Sequence, residues 1–292
     1  MQHIQIMPLT RSDRRAKRPG GRRNQAHGGQ HRDYPARPGQ TATGPGVRAT
    51  PGGASVGRVT GDREDAGQEL GRPRVAVVEA YAVLARRVLA RPARLGRTRL
   101  VAVDGPSGAG KSVFAARLAD ALAALPGGER PPVVHTDDLL DGWDDQFTFW
   151  SRLEERVLAP LRAGRPGAYQ RYSWVRRGFL PRAVPVPVAP VLVVEGVSAA
   201  RSAIRPELSL AVFVTAPAPL RRARALDRDG PQILPELRRW HAGERAHFAA
   251  DRTAAHADLV VDGAPALSHD AARYLVRHPA SCGDAASRGA PR

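Results

Sequence analysis

The sequence predicts an α/β fold: a doubly wound, mostly parallel sheet of five strands with helices on both faces. Five short apolar runs suit buried strands, at residues 98–103, 131–136, 189–196, 208–216 and 257–263. Stretches with helical spacing of apolar residues separate most of these runs. Strands that alternate with helices in this order favour a parallel sheet covered on both faces.

The predicted helices have recognisable ends. The first, at 74–93, carries an apolar face at helical spacing from Val75 to Leu89. The second spans 111–125 and stops at Pro126-Gly127-Gly128, and the third spans 146–164 and closes at Gly164. A fourth, Arg-rich helical stretch runs from 219 to 255.

The composition divides the chain into three parts. Residues 1–72 are rich in Arg, Gly and Pro and lack sustained apolar periodicity, which predicts a disordered basic segment. An over-extended gene start would give the same pattern, so both interpretations stay open for this segment. Residues 73–265 are predicted to form one folded domain, and residues 266–292 a largely disordered tail.

The formal net charge of +17 is high enough to raise the question of nucleic acid. However, only two of the 45 basic residues are lysines, and Ala, Gly, Pro and Arg dominate, as a GC-rich coding sequence would produce. A nucleic-acid partner is therefore not expected, although the basic first segment leaves it open. The single Cys282 and the lack of a long apolar run favour a cytoplasmic protein without membrane contact. The oligomeric state stays open.

The clearest chemical signal is Gly-Pro-Ser-Gly-Ala-Gly-Lys-Ser at 105–112, the P-loop pattern between a predicted strand and a predicted helix. Glycines let backbone N–H groups turn inward around a phosphate at the positive end of a helix. The predicted phosphate contacts are Gly105, Ser107, Gly108, Ala109, Gly110, Lys111, Ser112 and Val113. Lys111 supplies a compact charge for the terminal phosphates, and Ser112 a hydroxyl for Mg²⁺.

Two carboxylates follow strands at the same predicted edge. Asp137 comes directly after the second predicted strand, where it can accept a proton from a substrate hydroxyl, and we expect nearby Mg²⁺ and Lys111 to keep its pKa low. Glu195 ends the third, where it can hold a Mg²⁺-bound water. The alternatives are a capping role for Asp137 or Asp138 and a solvated strand end for Glu195. No GTPase or ABC-transporter motif accompanies the loop.

Arginines on the fourth helical stretch form a third candidate group. Arg221, Arg224 and Arg228 follow i, i+3, i+7 spacing and therefore share one helix face. Such a row can close over a triphosphate and neutralise charge during transfer. In a chain this rich in Arg, a plain solvated face is the alternative.

The segments "GPSGAGKS", "VVHTDDLLDGWD", "YQRYSW", "VLVVEGV", "RARALDRDG" and "WHAGERAHFAADRTAAHADLVVDG", in this order, resemble the uridine kinase-like P-loop kinases over residues 75–265. The resemblance implies ATP-Mg binding at Lys111 and Ser112, a catalytic base at Asp137, and catalytic lid arginines at Arg224 and Arg228. It also implies that Tyr172 and Trp174 hold the acceptor. Leu140 and Ser173 depart from the family pattern.

These observations predict a kinase that transfers the γ-phosphoryl group of ATP to a hydroxyl of a small molecule, with a nucleoside favoured. A kinase for another small alcohol, pantothenate-like or ribulose-phosphate-like, is one alternative. A non-catalytic ATP-binding protein is another, and convergence of Asp137 and Glu195 on the metal site would argue against it. Trp143, Trp150 and Trp240 are interpreted as fillers of the core.

Overall fold

The structure is a computed structural model and describes residues 76–278. The N-terminal basic segment at 1–72 and the last part of the predicted tail, 279–292, lie outside the described residues. Within 76–278, no helix combines the length and the apolar composition that a membrane crossing requires.

A mostly parallel sheet of seven strands forms the centre, in the order β1-β9-β8-β7-β2-β6-β3. Its strands are β1 Val77–Ala80, β2 Arg99–Asp104, β3 Val133–His135, β6 Val191–Glu195, β7 Leu208–Thr215, β8 Leu259–Asp262 and β9 Tyr274–Arg277. The five predicted strands are its parallel part, which confirms the α/β fold class. The strands β4 Gly167–Ser173 and β5 Gly178–Val186 pair only with each other, as an antiparallel hairpin.

Helices occupy the connections between the strands. They are α1 Tyr81–Ala90, α2 Lys111–Ala123, α3 Trp150–Leu153, α4 Ala159–Arg162, α5 Ala218–Asp229 and α6 Leu234–Asp251. A π-helical turn at Glu154–Leu158 joins α3 to α4, so the predicted third helix is one continuous stretch. The predicted stretch at 219–255 is divided instead, because Gly230 has a φ of 87° and Pro231 follows it.

The sheet separates two apolar cores. On β2, Leu100 and Ala102 pack into one core, whereas Val101 and Val103 pack into the other. The neighbouring strand β6 alternates in the same way between the two cores. Because successive side chains of a strand point to opposite faces, this alternation shows that both faces are covered, as a doubly wound sheet requires.

Two strands correct the sequence prediction. Residues Val77–Ala80 were predicted to be helical, but they form β1, an edge strand paired with β9. The carboxylate of Glu79 accepts hydrogen bonds from Arg87 and Arg277, so pairing compensates the charge that β1 buries. The sheet therefore has seven strands instead of five, and it extends past residue 265 into the predicted tail.

The register of the sheet collects the polar strand ends at one edge. Val103 of β2 pairs with Glu195 of β6, and His135 of β3 pairs with Glu195 from the other side. Asp104, the last residue of β2, pairs with Phe213 of β7. Ligands of open α/β sheets bind outside this carboxyl edge of the strands.

We expect Leu275→Ala to lower the free energy of unfolding by roughly 2–5 kcal/mol, because it opens a cavity in a packed core. Leu275 lies in β9 and is only 2% exposed. Leu267→Ala is the matched control, since Leu267 is 49% exposed and its loss should cost less than about 0.5 kcal/mol. Chemical denaturation measures both, and equal effects would show that β9 is not part of the folded domain.

Candidate active site

The P-loop turns sharply between β2 and α2. Gly105, Gly108 and Gly110 have φ values of 134°, 76° and 103°, which side-chain-bearing residues rarely adopt. A Cβ atom on Gly105 would lie 2.1 Å from the carbonyl oxygen of Val214, and one on Gly108 would lie 2.5 Å from that of Arg221. Neighbouring backbone therefore closes around the loop, and only glycine fits at these two positions.

The start of α2 presents the groups that a phosphate requires. Its first intrahelical hydrogen bond runs from the N–H of Phe114 to the carbonyl of Gly110 (3.0 Å), so the preceding N–H groups remain for a ligand. Lys111 is buried, and its Nζ donates to the carbonyl of Pro106 at 3.1 Å. The Ser112 hydroxyl donates to Glu195 Oε1 at 2.8 Å.

These groups open into one cavity of about 580 Å³. Most of the predicted site residues line it: Ser107, Gly108, Gly110, Lys111, Ser112, Val113, Asp137, Glu195, Arg224 and Arg228. Gly105 and Ala109 do not, because Gly105 is enclosed by β7 backbone and Ala109 is buried in a core. The far end of the cavity is bounded by Tyr81, Arg117, His269 and Tyr274.

Glu195 is the buried acid of the site. It receives hydrogen bonds from the Ser112 hydroxyl and from His135, whose Nδ1 lies 2.5 Å from Glu195 Oε1. Burial alone would raise the pKa of Glu195, but the contacts with His135, Lys111 and Ser112 hold it below its ordinary value. For His135, Glu195 outweighs burial and raises the imidazole pKa.

Asp137 lines the same cavity as the P-loop lysine. Its side chain is exposed to solvent at the cavity. Desolvation and the charge of Glu195 raise the pKa of Asp137 above its ordinary value, while Lys111, Arg228 and His135 act in the opposite direction. The expectation of a low pKa is therefore not met by the protein groups alone.

The next residue, Asp138, faces the β4–β5 hairpin instead of the cavity. Its carboxylate accepts hydrogen bonds from Arg171 Nε at 3.2 Å and from the Tyr169 hydroxyl at 3.4 Å. The side chains of these two adjacent acids therefore have different surroundings: Asp137 lines the cavity, and Asp138 holds the hairpin.

The arginines of α5 meet the P-loop in two ways. Arg224 and Arg228 line the cavity, as predicted. Arg224 donates to the carbonyls of Gly108 (3.0 Å) and Gly263 (3.3 Å), and Arg228 forms a two-pronged pair with Asp229. Arg221 does not line the cavity, and its guanidinium donates to the carbonyls of Ala216 (3.1 Å) and Ser107 (3.4 Å).

Tyr172 and Trp174 lie on the hairpin and away from the phosphate cavity. Their rings are 5.3 Å apart, and Trp174 also contacts Trp143 at 5.2 Å. These three residues are called the aromatic cluster below. The cavity therefore unites the P-loop, the two carboxylates and two arginines, whereas the predicted acceptor contacts Tyr172 and Trp174 do not line it.

Sequence reasoning missed Asp104, the fully buried residue before the P-loop. Its carboxylate accepts N–H groups from Gly105 (2.7 Å), Ser198 (2.9 Å) and Ala200 (2.8 Å). It thereby ties the P-loop to the segment that follows Glu195. An acid at the end of an apolar run was the available signal, the same one that identified Glu195.

The oxygen atoms of Ser112 and Glu195 are of the kind that Mg²⁺ prefers as ligands. Residues 76–278 contain no cluster of three or more His, Cys, Asp or Glu side chains arranged to hold a metal ion. However, Mg²⁺ in nucleotide sites usually takes one or two protein oxygens and completes its shell with phosphate oxygens and water. The Ser112 hydroxyl and the Glu195 carboxylate, 2.8 Å apart, are such a pair.

We expect the carboxyl group of Asp104 to titrate near pH 6, because burial raises its pKa from 3.8 to about 6 despite the three N–H groups. Because the folded-state pKa is the higher one, its contribution to stability is fully present below pH 4. That contribution falls by roughly 3 kcal/mol as the pH rises through 6. Carbon-13 NMR of labelled aspartate measures the midpoint, and Asp104→Asn identifies the signal. A midpoint below about 4.5 would contradict the assignment.

No protein-family model matches the sequence, and no curated protein matches it either. Among solved structures, it is similar to a possible uridine kinase from Bacillus stearothermophilus, at 18% identity and a TM-score of 0.46, over 62% of this chain and 96% of that one. It is also similar to a candidate fructose transport system kinase from Silicibacter sp. TM1040, at 21% identity and a TM-score of 0.42, over 60% and 91% of the two chains. Since the similarity is this low, function is inferred from the site residues themselves.

Proposed function

We propose that this protein is an ATP-dependent kinase that transfers the γ-phosphoryl group of ATP to a hydroxyl of a small molecule. The observation that carries the proposal is convergence: a P-loop lysine and serine, two strand-end carboxylates and two arginines line one cavity. A nucleotide-binding protein without chemistry needs the P-loop, but it has no use for a second strand-end acid, Asp137, in the same cavity. The position of Asp137 therefore favours an enzyme over a binder.

Each side chain has a distinct role in this proposal. Lys111 exchanges the Pro106 carbonyl for phosphate oxygens, and Arg224 and Arg228 neutralise charge that builds up during transfer. Ser112 and Glu195 would hold Mg²⁺, which would offset the negative charge of the phosphates when bound. Asp137 accepts the proton of the acceptor hydroxyl while the oxygen of that hydroxyl bonds to the γ-phosphorus. The bond between the γ-phosphorus and the oxygen that links it to the β-phosphate breaks, which releases ADP.

The raised pKa of Asp137 suits this role. A base works best when its pKa approaches the working pH, since it is then both ionised and able to hold a proton. Desolvation and Glu195 shift the pKa in that direction.

A nucleoside is the favoured acceptor. Two members of the aromatic cluster, Tyr172 and Trp174, belong to the hairpin that contacts Asp138, the residue next to Asp137. Aromatic faces stack on flat rings. Another small alcohol, pantothenate-like or ribulose-phosphate-like, is the second candidate. A cytoplasmic location remains a prediction.

Lys111→Ala is expected to weaken ATP-Mg binding or turnover by about two orders of magnitude or more, because it removes the charge that meets the terminal phosphates. Calorimetric titration with ATP-Mg and a coupled ADP assay measure the two effects. A folded variant with wild-type affinity and turnover would exclude the P-loop as the ATP site.

Asp137→Asn should keep nucleotide affinity within about tenfold but lose roughly a hundredfold or more in phosphoryl transfer, since the amide cannot accept the proton. Asp138→Asn is the matched control, because it weakens the contacts with Arg171 and Tyr169. It should lower the melting temperature but lose far less phosphoryl-transfer rate than Asp137→Asn. A screen of nucleosides, sugars and pantothenate for acceptor-dependent ADP release supplies the substrate. Equal transfer rates in both variants would exclude Asp137 as the base, and absence of any acceptor-dependent turnover would favour the binder.

A further inference from the structure

Glu244 of α6 is a buried acid outside the set of residues assigned above. It is only 2% exposed, and Arg221 lies 3.7 Å from its Oε2 atom. Its Oε1 atom accepts the backbone N–H of Ser107 at 2.7 Å, the Ser107 hydroxyl at 2.5 Å and the indole N–H of Trp240 at 2.9 Å. Burying a carboxylate is costly unless it is fully hydrogen-bonded, so this arrangement fixes Glu244 and its partners in one geometry.

Ser107 is held at every polar group. Its N–H and hydroxyl donate to Glu244, its hydroxyl oxygen accepts from Trp240 Nε1 at 2.8 Å, and its carbonyl accepts from Arg221 Nη1 at 3.4 Å. The donors and acceptors come from α5 and α6, more than 100 residues away in sequence. The two peptide units on either side of Ser107 are therefore oriented by side chains of other elements.

Trp240 also reaches the aromatic cluster. Its ring meets Trp143 edge-on, with ring centroids 5.8 Å apart and an interplanar angle of 83°. Trp143 in turn contacts Trp174 of the hairpin at 5.2 Å. A continuous path of side-chain contacts thus runs from the hairpin through Trp143 and Trp240 to Ser107.

We infer that Trp240 and Glu244 are positioning residues, which hold the P-loop in its phosphate-binding conformation and transmit the packing of the aromatic cluster to it. The inference rests on the proposed function, in that the cavity is taken as the nucleotide site and the cluster as the acceptor side. A loop that is already oriented loses less entropy when it binds phosphate, so nucleotide affinity depends on these contacts. Binding at the acceptor side and at the nucleotide side is then coupled.

Calorimetric titration of the full chain with ADP-Mg tests the positioning role. Glu244→Ala removes the acceptor of Ser107 and should lower the affinity about tenfold or more. Glu244→Gln keeps a carbonyl oxygen that can accept the same N–H and should recover most of the loss. Glu236→Ala is the matched control on α6, since Glu236 is 32% exposed and pairs with Arg239, and it should bind ADP-Mg as the wild type does.

Amide hydrogen exchange gives a readout that does not depend on a nucleotide. Exchange at Ser107 should accelerate in Glu244→Ala while exchange within the central strand β2 stays slow. Where Glu244→Ala fails to fold, Trp240→Phe replaces it, because it keeps an aromatic ring at this position but removes the indole N–H donor. Trp150→Phe serves as its control, since Trp150 packs against Arg201 and Phe149 instead of the P-loop.

Transmission is tested by a double-mutant cycle. Trp143 contacts Trp240, which in turn contacts Ser107 of the P-loop. Trp143→Leu should weaken ADP-Mg binding by about threefold to tenfold in the wild-type background but by less than about twofold in the Trp240→Phe background. Equal effects in both backgrounds, or a Glu244→Ala affinity equal to that of Glu236→Ala, would overturn the inference. Normal ADP-Mg binding without acceptor-dependent turnover would overturn only the proposed function, and no ADP-Mg binding by the wild type would overturn both.

Discussion

The carboxylate of Asp104 is the interaction on which the geometry of the site depends. It accepts one N–H from the first P-loop residue and two from the segment after Glu195, so a single buried charge sets the distance between the two loops. A neutral amide could not replace it, because an asparagine offers one acceptor oxygen where the two loops present three donors. The protein therefore accepts the cost of burying this carboxylate, which appears as its raised pKa.

The cations of the cavity are also paired with protein groups. Lys111 and Arg224 donate to backbone carbonyls, and Arg228 pairs with Asp229, so these cations are engaged within the protein. Polyphosphate oxygens would replace neutral carbonyls with charged acceptors, and charge-assisted hydrogen bonds are the stronger ones. A site of this kind exchanges its internal bonds for bonds to a ligand without exposing an unpaired charge.

The sequence predicted the elements whose patterns involve only a few neighbouring residues, and it did not predict those that depend on contacts with distant parts of the chain. The five parallel strands and the P-loop were predictable, because apolar runs and glycine spacing act over a few residues. The strand β1 was not, since Val77 and Val78 continue the helical spacing of α1 and its stability comes from β9 and from the distant Arg277. For the same reason Glu244 gave no signal, because its partner Ser107 is 137 residues away and nothing in its neighbourhood marks it as buried. Trp240 was correctly assigned to the core, yet its indole N–H contact with the P-loop was not predictable.

The placement of the β4–β5 hairpin has an evolutionary consequence. It lies within the connection between β3 and β6, which are neighbouring strands in the main sheet, and it pairs with no strand of that sheet. Insertions at such a place can lengthen, shorten or be exchanged while the register of the sheet stays the same, because no ladder of the sheet runs through them. If the proposed function holds, the P-loop and the acceptor-side hairpin are thereby encoded in separable stretches of the gene. A lineage of such kinases can therefore acquire a new acceptor by remodelling the hairpin at 167–186 while it inherits the P-loop and Asp137 unchanged.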